Sequence, residues 1–116
     1  MVVALPPDSP DAFDGLSAEE LADLGELDGF LKQETGYQQI QGTKPQTLGY
    51  ALNDSPAGLA AWIVEKFRGW GDCEGEVERR FTKDELLANL TLYWVTQTIG
   101  SSARLYWEGA RAPLRF

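Results

Sequence analysis

Four tyrosines, Tyr37, Tyr50, Tyr93 and Tyr106, are the side chains of this 116-residue chain best suited to chemistry at neutral pH. A phenol titrating near about 10 keeps its proton and can donate it toward an oxygen that is gaining negative charge. The chain contains no histidine. Ser–His and Cys–His nucleophile pairs are therefore excluded, as are zinc sites built on imidazole. Chemistry by this chain alone would have to use carboxylates, phenols, lysines or its one thiol. Pattern alone makes a structural role the default for each tyrosine.

Other reactive groups are weaker candidates. Asp72, Glu74, Glu76 and Glu78 form an acidic run, but Val77 stands where a calcium loop needs its turn glycine. Lys83 stands where that loop needs its bidentate glutamate, so the run reads as a solvated loop and no metal is expected. Cys73, between Asp72 and Glu74, sits in an acidic setting that suits a nucleophile poorly, and it reads as incidental. Trp62, Trp94 and Trp107 are candidate pocket-lining residues, although Trp62 and Trp94 fall on or beside the apolar faces of two long helices and suit a core equally well.

Charge narrows the partners. Ten basic residues against eighteen acidic ones give a net charge of -8. A nucleic-acid module needs a cationic stripe, and an anionic membrane surface disfavours the same balance, so neither partner is expected. No apolar run approaches the roughly 20 residues that span a bilayer. One cysteine cannot form an internal disulfide, and the N-terminal stretch has no basic n-region, which makes the cytoplasm the expected location.

The elements that must position these side chains are helices. Residues 1–16, with Pro6, Pro7 and Pro10, read as an extended lead-in. Ser17 and Glu20 form a capping box, followed by Leu21, Leu24, Leu27 and Leu31 at helical spacing; the helix is expected to weaken near Gly36. Tyr37 then sits at a helix end. Gly42-Thr43-Lys44-Pro45 starts a shorter helix, and Asp54 or Ser55 with Pro56 starts the most amphipathic one, carrying Leu59, Ile63, Phe67 and Trp70. After a loop over 69–80, Thr82 and Glu85 form a second capping box, with Phe81 and Leu86 as a hydrophobic staple. That helix should reach about Ile99, with Gly100 breaking it, and Ser101 to Glu108 forms a last short helix before Pro113. No period-two stretch competes. The expected fold is all-α with about five helices, one domain over 17–108, and a linker over 109–116. A chain of this length buries roughly two-thirds of its unfolded surface, which leaves little stability to spare.

Two blocks resemble a known family. Gly36-Tyr37-Gln38-Gln39-Ile40-Gln41-Gly42-Thr43-Lys44-Pro45-Gln46-Thr47, continuing from Gly49 to Ile63 and through Glu65-Lys66-Phe67, is similar to the lid of microsomal-type epoxide hydrolases. Asp84 to Trp94, with Thr98-Ile99 and Ser101 to Tyr106, resembles the far half of that lid. Together they cover most of residues 34–108. The resemblance implies an α/β-hydrolase core that supplies an aspartate nucleophile, a histidine base and an acidic partner, and a lid that supplies two tyrosines. By motif position those are Tyr37 and Tyr106.

The core's triad has no counterpart here, since histidine and a glycine-rich elbow around an aspartate are both missing. The resemblance therefore implies a lid that needs a core domain as partner, takes an epoxide as substrate, uses no cofactor, and does not turn over alone. The competing class is a non-catalytic acidic helical module that binds or self-associates, because a lid without its core exposes apolar surface. A free-standing carboxylate enzyme is the third class, and no motif places an acidic pair for it.

Overall fold

The computed structural model describes residues 13–112; the lead-in before residue 13, and Pro113 with the rest of the expected C-terminal linker beyond Ala112, lie outside the described residues. Six α-helices and one short 3-10 turn follow in order: α1 Ala18–Gln33, α2 Gly36–Thr43, α3 Pro45–Asp54, α4 Pro56–Trp70, the turn Val77–Arg79, α5 Lys83–Thr96 and α6 Ile99–Arg111. Among the described residues there is no strand, so the all-α expectation holds, with α2 as the helix beyond the five expected. Among the described residues no helix is long and apolar enough to cross a membrane.

The chain divides into two compact units, Met1–Thr35 and Gly36–Phe116. In the first, α1 starts where the capping box requires. Ser17 Oγ accepts from the Glu20 N–H at 3.2 Å, and the Glu20 carboxylate accepts from the Ser17 N–H at 2.8 Å. Its leucine stripe has the expected spacing, yet no residue of α1 is buried, and Leu21 is 51% exposed.

In the second unit the helix boundaries are set by local chemistry. Pro45 disfavours helical backbone at Lys44, which ends α2, and its fixed φ then starts α3. Ser55 closes α3 and caps α4, its Oγ accepting from the Gly58 N–H at 3.0 Å. Thr82 and Glu85 complete the second capping box at the start of α5. In both boxes the hydrogen bonds from the capping residue hold the glutamate below the usual 4.5 of its carboxyl. A depressed acid of this kind stabilises its helix start above the unfolded value and releases it as pH falls through the lowered one.

The junction between α5 and α6 differs from expectation. The helix does not run to Ile99 and break at Gly100. It ends at Thr96, with Gln97 left-handed at φ 52°. The Gln97 N–H donates to the Trp94 carbonyl at 3.3 Å and the Thr98 N–H to the Tyr93 carbonyl at 3.2 Å, a Schellman closure of the last turn. Glutamine occupies the position that glycine usually takes, which is why the turn escapes sequence inspection. Ile99 then opens α6 as a buried residue, and Gly100 lies inside its first turn. The last helix runs on to Arg111, three residues past the expected end.

Leu52 of α3, Leu59 of α4 and Ile99 of α6 form the buried centre, with Leu48, Trp62, Ile63, Leu90, Tyr93 and Trp94 packed around it. α6 packs most extensively on α3 and then on α2. The α3–α6 approach is close because two glycines face each other: a Cβ on Gly49 would stand 3.2 Å from the Gly100 Cα. The acidic loop is tied down by cations, Asp72 to Arg80, Glu74 to Arg79 and Glu78 to Lys83. Cys73 is 1% exposed and its Sγ donates to the Arg68 carbonyl at 3.3 Å, so the thiol plugs this loop onto α4.

Gly49→Leu should push α3 and α6 apart and cost about 1–3 kcal/mol, a thermal midpoint lower by several degrees. Gly100→Ala, whose Cβ would meet only ordinary contacts at 3.9 Å, should leave the midpoint unchanged or raise it. Thermal melts followed by far-UV circular dichroism measure both; equal losses would remove the role assigned to Gly49.

Candidate functional site

Tyr37 and Tyr106 start from different helices and meet. Tyr37 lies in the first turn of α2, because α1 has already closed at Glu34 and a new helix opens at Gly36. Tyr106 lies midway along α6. Their rings stand edge to face, 5.7 Å between centroids at 83°. Trp70, from the end of α4, adds a second edge contact to Tyr37 at 5.3 Å and 62°. Contacts of this type add about 0.5–1.5 kcal/mol beyond buried area, enough to give each ring a defined place.

The Lys66 ammonium caps this cluster, 5.3 Å from the Tyr37 ring centroid and 4.9 Å from that of Trp70. It also pairs with Glu65 at 2.8 Å, and its side chain is 22% exposed. Burial pushes the Tyr37 phenol above its ordinary value of 10.0; the charge Tyr106 would carry and a hydrogen bond with Tyr106 add to this, while Lys66 opposes it. The phenol therefore holds its proton at neutral pH.

These side chains line one concave cavity of about 480 Å³. Trp62, Ile63, Phe67, Trp70, Phe81, Tyr93 and Ile99 make it apolar, and Tyr37, Tyr106, Lys66, Gln41 and Asn89 are among its polar groups. Apolar walls with a few placed polar groups are typical of small-molecule sites. Of the residues singled out by sequence, Tyr37, Tyr93, Tyr106 and Trp62 come together here. Trp94 packs against the buried core, and Trp107 is 39% exposed with the Arg111 guanidinium 3.8 Å from its ring centroid; neither lines the cavity. From sequence Trp70 reads first as a core residue of the α4 apolar face, and Lys66, Gln41 and Asn89 were not singled out. Gln41 was within reach of inspection, since it follows Tyr37 by four residues and shares its helix face.

Comparison with known proteins decides the family. No family model matches the chain. It is 55% identical over 84 residues to Epoxide hydrolase 1 of Sus scrofa, covering 67% of this chain and 18% of that protein. It is 47% identical over 97 residues to juvenile hormone epoxide hydrolase of Bombyx mori, covering 78% of this chain and 21% of that protein. The crystal structure of the silkworm juvenile hormone epoxide hydrolase superposes with a TM-score of 0.71 at 45% identity, over 81% of this chain and 24% of that one. The chain belongs to the epoxide hydrolases and corresponds to a partial, cap-like region of them. It spans about a fifth of the length of these relatives.

Two measurements probe this epoxide hydrolase segment directly. Spectrophotometric titration should show a phenol ionising above the ordinary value. Tyr37→Phe should remove that step, and Lys66→Met should move it higher still. Because the phenol is raised on folding, the stability tied to it is intact below about pH 10 and is lost as pH rises through the folded value. Asn89 tests the cavity wall: its Oδ1 is buried with no hydrogen-bond partner among the described residues. Asn89→Leu removes an unpaired polar group from a helix interior, so it should raise the thermal midpoint by a few degrees, and a lower midpoint would show that the amide is satisfied after all.

Proposed function

We propose that this chain is the lid of an epoxide hydrolase, in which Tyr37 and Tyr106 donate hydrogen bonds to the epoxide oxygen while the cavity walls hold the carbon skeleton. The convergence of the two phenols in an apolar cavity carries the reading. A carboxylate from the core domain attacks an epoxide carbon, the C–O bond breaks, and the oxygen becomes an alkoxide. Two protonated phenols already in place stabilise that charge as it develops and supply the proton it takes up. The ester so formed is hydrolysed by water that the core's histidine activates, which yields a diol and restores the carboxylate, and the proton released returns to the phenolate.

The division of labour follows from composition. The chain has no histidine, and the nucleophile belongs to the core, so the lid supplies only the electrophilic half of the site. Lys66 aids that half by placing positive charge beside Tyr37, which favours donation to an anionic oxygen. The Tyr106 side, 38% exposed, leaves the phenol accessible to a substrate held between lid and core.

A second reading has its own observation. Leu87, Leu92 and Val95 of α5 are 57%, 61% and 68% exposed, with Leu92 and Val95 three residues apart on one helix face. In the lid reading this stripe is where the core docks; in an assembly module it is where a second copy docks. Sedimentation velocity at several concentrations separates the two, with a monomer at all concentrations removing the assembly reading.

In the enzyme joined to its core, Tyr37→Phe and Tyr106→Phe should each slow single-turnover ring opening by roughly 10²–10³-fold. The 116-residue chain alone should show no turnover. Stopped-flow traces in which both variants keep the original rate would end the proposal.

A further inference from the structure

The cavity holds a polar group that stabilising the epoxide oxygen does not use. Gln41 is only 5% exposed, the one buried polar residue among those described, and it lines the cavity beside the two phenols. Among the described residues its carboxamide has no protein hydrogen-bond partner, and its N and O atoms are not sealed from solvent. A carboxamide this enclosed with no protein partner depends on solvent that reaches it through the cavity, so the position calls for an explanation. The cavity supplies it. Gln41 follows Tyr37 by four residues on α2, so the two side chains share a face about 6 Å apart along the helix axis. Asn89, in the wall of the same cavity, adds a second carboxamide whose Oδ1 lacks a partner.

We infer that Gln41 is a specificity-determining residue: its carboxamide binds a hydrogen-bonding substituent of the epoxide, an ether, carbonyl or hydroxyl oxygen, within one helical turn of the oxirane oxygen held by Tyr37 and Tyr106. The inference rests on the cavity being the epoxide site. Before binding, the carboxamide faces solvent in an open cavity. A hydrocarbon epoxide that fills the space displaces that water and leaves the amide unpaired, whereas an oxygen-bearing substituent replaces the lost hydrogen bond. The apolar walls sharpen the difference, because a hydrogen bond forgone there is not recovered from water. The preferred class is therefore an epoxide carrying a second oxygen close to the ring on an otherwise apolar body.

All lining residues belong to this chain, so the test uses the chain as it stands, with the fluorescence of Trp62 and Trp70 in the cavity wall as the signal. Phenyl glycidyl ether and 4-phenyl-1,2-epoxybutane differ only by an ether oxygen in place of a methylene. The ether should bind about tenfold more tightly, as expected for one hydrogen bond in a desolvated site. Gln41→Met should bring the ratio to about one without weakening the hydrocarbon, whereas Tyr37→Phe should weaken both epoxides alike. The Gln41 side-chain amide resonances provide a readout that needs no variant: they should shift with the ether and stay in place with the hydrocarbon. Equal affinities for the two compounds, or a preference that survives Gln41→Met, overturns the role of Gln41 and leaves the lid assignment standing. Binding of neither epoxide, by the chain alone or joined to its core, overturns the cavity as an epoxide site, and this inference with it.

Discussion

The edge-to-face contact between Tyr37 and Tyr106 depends on how closely α6 can lie against α2 and α3. Each phenol comes from a helix about four turns long or less, and neither helix could hold its ring in place alone. The approach is set by Gly49 against Gly100, where two backbones meet with no side chain between them. Ile99, buried beside Gly100, fixes the rotation of α6 about its axis, and Tyr106 follows two turns later on the same helix. A small core of Leu52, Leu59 and Ile99 thus determines where the two phenols can meet.

Around that contact the polar groups are few and each is tied to a neighbour or to the cavity. Lys66 lies over two aromatic faces, an arrangement that keeps a cation close to Tyr37 without lodging it in the apolar space. Burial raises the phenol and the lysine restrains that rise, so the proton stays available for donation without being held as tightly as burial alone would hold it. Gln41 and Asn89 are carboxamides in the cavity wall, and the Asn89 Oδ1 is buried there without a partner among the described residues. Sites that bind or react commonly carry such groups, which a purely structural wall would have no reason to keep.

The remaining surface is consistent with a piece of a larger enzyme. The chain spans about a fifth of its relatives, and α5 presents Leu87, Leu92 and Val95 outward. The leucine stripe of α1 is amphipathic in spacing but buries none of its residues. Both helices carry apolar side chains beyond what the described contacts use.

Much of the fold was legible because it is written in local chemistry. Ser17 with Glu20, Thr82 with Glu85, and Ser55 ahead of Pro56 mark helix starts through hydrogen bonds that span three residues, and the structure makes those bonds. The two phenols were legible only through resemblance to a family, since no spacing connects residue 37 to residue 106. The α5–α6 turn was hidden because Gln97 takes a left-handed backbone that glycine usually signals. Trp107 illustrates the same boundary: its neighbours in sequence gave no indication that it would lie outside the cavity under Arg111. Sequence alone determined where helices begin, which charges the chain carries and which chemistries it lacks, because these depend on residue type and short range. Only the tertiary structure decided which side chains share a cavity, because helix rotation and approach are set by packing between residues far apart in the chain.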